Sequence, residues 1–578
     1  MMFSTSTDGD QFDFIIIGAG SAGAILANRL TEERGWKVLL VEAGGNPPLE
    51  SVLPGLAGLL DNTKYDWNYY AEEDSNCCRG HKNNKISLAR GKMLGGCSSN
   101  NLLYYIRGHP EDFNKWVELG NPGWDSRTAL KYFKKFEGMR EESIFTNPRT
   151  APYHNYYGPV LVSRPKFDNY NEALKNTVLN FFHEIGHRII TELNGPDQIG
   201  VSRVHWTQSA NPGRRSSTAQ AYLVPIAKRK NFYLLKNSLA TKILMNCFNT
   251  AYGVQISLPN GNLINVYAKK EVIVSAGSIN SPQLLILSGI GPRKELEKFN
   301  IKPKLYSPVG LNLVDHVFVP MAFTIDIDKI GVKKDPNTKP TLEMSGGPAV
   351  TGFFKVNSSS IFQKYPDIQL LTIIYPKKST SLAFFCSEIF EYKDEICTAL
   401  LEANQENDIF FLYLALLHPK SKGKVSLNSR NPMDAPKIEL PYFSDEKDIQ
   451  QMVEGLKHML KLLNTSYFKK SASKIVNLNV PGCKGFKYLS DEYLRCYTLA
   501  LASTVWHPVG TCAMGPNKVV DHNLKVRGVK KLRVVDASVI PFITSGNTNA
   551  PVMMIGEKAA DLIKNDYNNW FNDVNMYL

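Results

Sequence analysis

A short apolar run at residues 12–17 leads into Gly18-Ala-Gly20-Ser21-Ala22-Gly23, and a helical pattern then continues to Leu30. This strand, tight turn and helix constrain the chain more than any other feature. The first glycine makes the turn, the second lets backbone approach a pyrophosphate, and the third lets the helix pack closely on the strand. The helix N-terminus offers unpaired N–H groups to the phosphates. A second strand at residues 37–41 ends in Glu42, 19 residues beyond Gly23, where a carboxylate accepts hydrogen bonds from ribose hydroxyls. The bland alternative is a glycine-rich turn without ligand, but strand, helix and acidic residue all fall where the mechanism needs them. A dinucleotide is therefore expected against Gly18, Gly20, Ser21, Ala22, Gly23, Glu42 and Ala43. The motif does not separate FAD from NAD, because both carry the adenosine diphosphate half that it reads.

At 578 residues the chain exceeds what one hydrophobic core serves, so two domains are expected. With 43% hydrophobic and 21% charged residues, it has the composition of a globular protein rather than a disordered or fibrous one. The formal charge of +13 is scattered, and its densest run is only Lys228-Arg229-Lys230. A nucleic-acid face needs clustering and a recognisable reading module, so no such partner is expected. The longest apolar stretch, residues 409–417, is about half the roughly 20 residues of a membrane span and reads as a core element. Residues 1–10 are polar, so no signal peptide is present as written, and secretion would require a leader already removed. The nine cysteines include no CxxC pair of zinc spacing, and no metal site is expected. Adjacent Cys77 and Cys78 read as a surface loop in which one finds a partner if the compartment is oxidising. Sequons at Asn357 and Asn464 are no more than the Asn-rich composition gives by chance, which leaves compartment and oligomeric state open.

Two later segments carry more information. Residues 89–101, Ala-Arg90-Gly-Lys-Met-Leu94-Gly95-Gly96-Cys97-Ser98-Ser-Asn100-Asn101, combine small residues and amides without apolar periodicity, as in a loop whose backbone approaches something flat. Residues 272–282, Val-Ile-Val-Ser-Ala276-Gly277-Ser-Ile-Asn-Ser-Pro, pass from a buried strand into a helix. These segments resemble the two signature sequences of the glucose-methanol-choline (GMC) oxidoreductase family, in which both line FAD. The similarity spans nearly the whole chain. It includes Gly310-Leu-Asn-Leu-Val-Asp-His316, Trp506-His507-Pro-Val-Gly-Thr511, Val534-Val-Asp536-Ala537-Ser538 and Gly546-Asn547-Thr548-Asn549-Ala-Pro551. Glu42-Ala-Gly-Gly and Tyr105-Ile-Arg-Gly resemble the insect glucose dehydrogenase branch. Two departures stand out: Cys97 replaces the usual Ser, and Asn100 an apolar residue. Choline oxidases carry at the position of Asn100 a His that bonds to the flavin. An amide cannot form that bond, so the resemblance implies noncovalent FAD.

The resemblance implies an α/β fold combined with α+β: a discontinuous, Rossmann-like FAD-binding domain and an inserted substrate domain with a mostly antiparallel sheet flanked by helices. The FAD domain is expected from residues 1–123, 201–314 and 491–578, and the substrate domain from 124–200 and 315–490. Implied FAD contacts are Arg90, Leu94, Gly95, Gly96, Ser98, Asn100, Asn101, Ala276, Gly277, Trp506, Asp536, Ala537, Asn547 and Thr548. Gly96 and Asn101 would approach the isoalloxazine through backbone. Asp536 would either bond ribityl hydroxyls or merely end a strand.

Alcohol oxidation removes a hydroxyl proton and a hydride from one carbon; a flavin accepts the hydride at N5, and the protein handles the proton. His507, an imidazole that titrates near neutrality in the segment matching the family's catalytic histidine, is the expected base. Asn549 matches the position where the family carries a second His or an Asn, and its N–H would hold the substrate oxygen. His316 reads as structural. The expected reaction turns a small-molecule alcohol into an aldehyde, ketone or lactone, with oxygen or a quinone reoxidising the flavin. The alternative is a flavin-containing hydroxynitrile lyase of the same fold.

Overall fold

The computed structural model describes residues 7–165, 169–332, 350–356 and 365–575. Its first sheet is built on Gln11–Ile17, an apolar strand that pairs in parallel with Val38–Val41 on one side and Leu263–Val274 on the other. Val38–Val41 pairs onward with Phe232–Leu235, and Leu263–Val274 with Leu532–Val534, both in parallel. Ala251–Ser257 and Leu239–Met245 complete the sheet as antiparallel strands. Parallel strands need crossover connections that cover both faces, which explains their continuous apolar character. The crossover Gly23–Leu30 packs against the long helix Asn549–Asn575, which packs in turn on Ser126–Phe136. Strands from the beginning, middle and end of the chain thus share one sheet.

The second sheet has six strands in the order Ser503–Thr504, Val317–Ile325, Asp408–Leu416, Ile368–Tyr375, Val350–Phe354 and Gly200–Arg203. Every pairing is antiparallel. Helices Asn169–Glu184 and Glu446–Leu460 cover one face. The other face turns toward the first sheet, and the cavity described below lies between the two.

Several boundaries differ from the spans expected from sequence. Gly200–Arg203 and Ser503–Thr504 belong to the antiparallel sheet. Residues 124–162 join the parallel-sheet side instead, because Trp124, Phe133, Phe136, Val160 and Val162 bury into the core built around Ile15 and Ile16. Tyr69, Ile86 and Leu88, from within residues 1–123, bury in the antiparallel-sheet core.

Cys77 and Cys78 are not in an exposed loop: they bond to each other, and both are buried in that second core. Cys386–Cys397 and Cys483–Cys496 form two further disulfides, and the latter ties a loop to helix Asp491–Leu501. Asn464 is exposed, and Asn357 lies outside the described residues. Among the described residues no helix is long and apolar enough to cross a membrane, and no group of three or more His, Cys, Asp or Glu could hold a metal ion.

Candidate active site

One continuous cavity runs from the first glycine turn to the antiparallel sheet. Gly18 has φ +98°, and a Cβ there would fall 2.4 Å from the Ser275 carbonyl oxygen. A Cβ on Gly23 would fall 1.9 Å from the Gly18 oxygen, so this glycine serves helix packing and does not line the cavity. Gly96, with φ +50°, brings the second loop across the first: its Cβ would lie 2.8 Å from the Gly20 Cα. Glu42 ends its strand and accepts the Ala19 and Gly44 N–H groups, each at 2.8 Å. Burial pushes its carboxyl up to about 7. The carboxylate therefore braces the glycine turn from within while also lining the cavity.

A Cβ on Gly277 would meet nothing within 4 Å, so the backbone there is open to a ligand. Beside it, Ser275 and Ser278 line the cavity with buried hydroxyls that find no hydrogen-bond partner among the described residues. Such groups are costly unless something else satisfies them. Open backbone, unpartnered hydroxyls and a glycine turn suit the phosphates and polyol of a flavin dinucleotide. Ser21, Ala22, Ala43, Arg90, Asn100, Asn101, Ala276, Ala537 and Thr548 line the same cavity.

Leu94, Gly95 and Ser98 lie behind the cavity wall. The Leu94 N–H donates to Gly45, the Gly95 N–H donates to Ala19, and the Ser98 hydroxyl bridges Gly95 and Thr218, so all three shape the loop from outside. Asp536 lines the cavity, but its carboxylate is taken. It accepts from the Gly277 N–H, the Ser281 hydroxyl, and both the N–H and hydroxyl of Ser538. It follows the strand Leu532–Val534 and clamps the start of helix Gly277–Leu287 from beside the cavity. Ser238 and Ala240, at the far end of the cavity, were missed because they follow an ordinary edge strand and carry no motif.

His507 sits where the cavity meets the antiparallel sheet. Asp315 Oδ1 accepts the His507 backbone N–H at 2.8 Å, and its Oδ2 accepts from Tyr442 and Thr504. His316 Nδ1 lies 2.9 Å from His507 Nδ1, while His316 Nε2 faces the Leu417 carbonyl at 3.0 Å. A carbonyl only accepts, so His316 carries its proton on Nε2 and offers the Nδ1 lone pair. His507 must then donate from Nδ1, which leaves its Nε2 with a lone pair facing the cavity. His316 is thus more than the scaffold residue expected from sequence, because it sets the tautomer of His507.

The amide that meets this lone pair is Asn547, whose Nδ2 lies 3.2 Å from His507 Nε2. Gln369, buried on the strand Ile368–Tyr375, donates from Nε2 to Asn547 Oδ1 at 3.2 Å and so orients the Asn547 amide toward the imidazole. Asn549 is elsewhere: it begins the long helix, and its Oδ1 accepts the Ser21 hydroxyl at 2.8 Å. The positive φ of Gly546, +125°, turns the chain so that Asn547 faces the antiparallel sheet and Asn549 faces the dinucleotide turn. The expected pairing of His507 with Asn549 is therefore replaced by His507 with Asn547. Burial, with His316 and Arg90 close by, holds the His507 pKa well below its ordinary value. Burial likewise brings His316 down to about 3.

A dinucleotide cradle that opens onto a buried, neutral imidazole and an oriented amide defines a flavin-dependent oxidoreductase. Residues 12–318 and 419–556 match two family models, both described as GMC oxidoreductase, and the chain belongs to this family of FAD-dependent enzymes acting on CH–OH donors. It is 37% identical over 566 residues to an ecdysone oxidase of Spodoptera littoralis, covering 97% of this chain and 92% of the relative. It is 35% identical over 566 residues to a glucose dehydrogenase (FAD, quinone) of Drosophila pseudoobscura pseudoobscura, covering 96% and 87%. The crystal structure of a formate oxidase superposes with a TM-score of 0.81 at 27% identity, covering 98% of this chain and all of the other. FAD is the cofactor.

Proposed function

We propose that the chain oxidises an alcohol, with His507 Nε2 taking the hydroxyl proton and Asn547 holding the oxygen. FAD supplies the hydride acceptor, N5 of its ring system. The observation that carries this reading is the chain of hydrogen bonds from Leu417 through His316 to His507, which turns the Nε2 lone pair toward the cavity, where the Asn547 amide meets it. A hydroxyl that meets this lone pair also meets the Asn547 amide, whose N–H favours the negative charge that develops on oxygen. Relatives are named for an ecdysone and for glucose, so family membership leaves the alcohol open. Oxygen or a quinone is the proposed terminal acceptor. The test is anaerobic addition of a panel of alcohols to the purified flavoprotein. Loss of the flavin's visible absorption supports the reading, and a flavin that no alcohol bleaches overturns it.

The low His507 pKa has a direct consequence. The folded protein holds the proton more weakly than a free imidazole does, so the base form is populated across neutral and alkaline pH and is lost only as the medium becomes acidic. The rate of anaerobic flavin reduction should be level through neutrality and fall on the acid side alone. A rise through the ordinary imidazole range would contradict this assignment.

We also propose that FAD is held without a covalent bond, since the cavity presents at Asn100 an amide, which lacks the nucleophilic nitrogen needed to bond to the flavin. Acid precipitation should leave all the yellow colour in the supernatant; a coloured pellet would refute it.

A further inference from the structure

The face of the antiparallel sheet opposite its helices forms the wall of the cavity beyond His507, and its side chains change character in rows. The first row pairs Phe318, Ala415 and Gln369 across three strands, and Gln369 is the residue that orients Asn547. The next row places Tyr413 beside Leu371, and the one after places Phe411 beside Ile373. Residues two apart on a strand lie about 6.7 Å from each other, so Leu371 and Ile373 carry this wall roughly 13 Å away from the Asn547 end. Leu371 and Ile373 both line the cavity.

Opposite them, Phe390 stacks on Trp506 with ring centroids 5.8 Å apart, and its edge meets Phe318 at 5.3 Å and Tyr413 at 5.6 Å. Neither the sheet nor the segment at residues 380–390 contributes a charged side chain to the cavity lining. The charged groups that do line it are Glu42, Asp536, Arg90 and Asp61. The first two are braced by protein donors as described. Arg90 donates to the Trp506 carbonyl at 2.7 Å, with Asp61 and Asp66 close to its side chain. Asp61 is pushed up to about 7 by burial and the neighbouring Asp66.

We propose that this wall takes an alcohol carried on a hydrophobic skeleton, with the carbinol at Asn547 and an apolar body of ring or chain lying along Leu371 and Ile373. The proposal rests on the reading of His507 and Asn547 as the carbinol site. A free sugar would bring hydroxyls against Leu371, Ile373 and Phe390, which offer them no partner, and buried unpaired hydroxyls are penalised.

Binding can be tested apart from oxidation with tertiary alkanols, which have no carbinol hydrogen to lose. The holoenzyme would be titrated with a series lengthened one methylene at a time, with perturbation of the flavin absorbance as the readout. Burial of each methylene is worth about 0.8 kcal/mol, so Kd should fall about fourfold per step and about 250-fold over four steps. Leu371→Asn and Ile373→Asn should flatten that dependence while FAD content and Tm stay near the parent's. If either variant loses FAD, the milder Ile373→Ala should still reduce the slope. A Kd independent of chain length, or tighter binding of methyl glucoside or choline than of the longest alkanol, overturns the proposal. Because these ligands cannot be oxidised, a failure of the hydride reading would leave this result intact, and the two failures are distinguishable.

Discussion

His507→Ala should reduce its flavin with alcohol about 100-fold to 10,000-fold more slowly than the parent, the range that a positioned general base contributes. The substitution removes the lone pair that faces the cavity. The Nδ1 lone pair of His316 then opens onto the vacated space, but it stands a full imidazole behind the position of His507 Nε2 and is held there by the bond from its Nε2 to the Leu417 carbonyl. Asn547 keeps its amide, which has no basic atom. FAD should remain bound, because the glycine turn, Glu42 and the loop at Gly96 are untouched. Rapid-mixing absorbance under anaerobic conditions measures both quantities: the starting spectrum reports cofactor content, and its decay reports the chemistry. Reduction as fast as the parent's would remove His507 from the mechanism.

Asn547→Ala and Asn549→Ala should separate two residues that the sequence makes look alike. Loss of a donor aimed at developing negative charge costs about 100-fold to 1,000-fold in rate, and this is the expected effect at Asn547. At Asn549 the lost contact is the hydroxyl of Ser21, on the dinucleotide turn. An ordinary hydrogen bond of this kind is worth about 1 kcal/mol, so Asn549→Ala should release FAD more readily and leave the reduction rate of the loaded enzyme within a few-fold of the parent. If Asn549→Ala gives the larger loss of rate, the assignment made from geometry is reversed.

The dinucleotide half was legible because its constraints are local. A strand, a turn with Gly18 at positive φ and a helix lie within residues 11–30, and Glu42 follows one strand later. The proton-handling half was not, because it is assembled across the chain: His316 and His507 are 191 residues apart, and Gln369 is 178 from Asn547. Nothing in Gly546-Asn-Thr-Asn shows which amide turns inward; that depends on the backbone at Gly546. Gln369 did leave a trace, a lone amide in the run Ile-Gln-Leu-Leu-Thr-Ile-Ile-Tyr, and a buried polar residue in an apolar strand asks for a partner. The domain limits slipped where packing, rather than motif, decides allegiance. Helix Ser126–Phe136 is amphipathic, and an apolar face alone does not say which core it joins.

Val317 and Thr504 are ladder partners at the edge of the antiparallel sheet; His316 immediately precedes the first, and His507 follows the second by three positions. The spacing of the two imidazoles is therefore inherited from backbone register, not from the side chains that meet the alcohol. Those side chains stand on the inner strands, at Leu371, Ile373 and Tyr413. A mutation at Leu371 or Ile373 is expected to alter selectivity and leave the Val317–Thr504 ladder in place, although Gln369, which orients Asn547, stands on the same strand as both. The register of an edge ladder thus holds the proposed proton-abstracting pair, while the wall proposed to meet the alcohol is raised on the strands beside it and joined to that pair through Gln369.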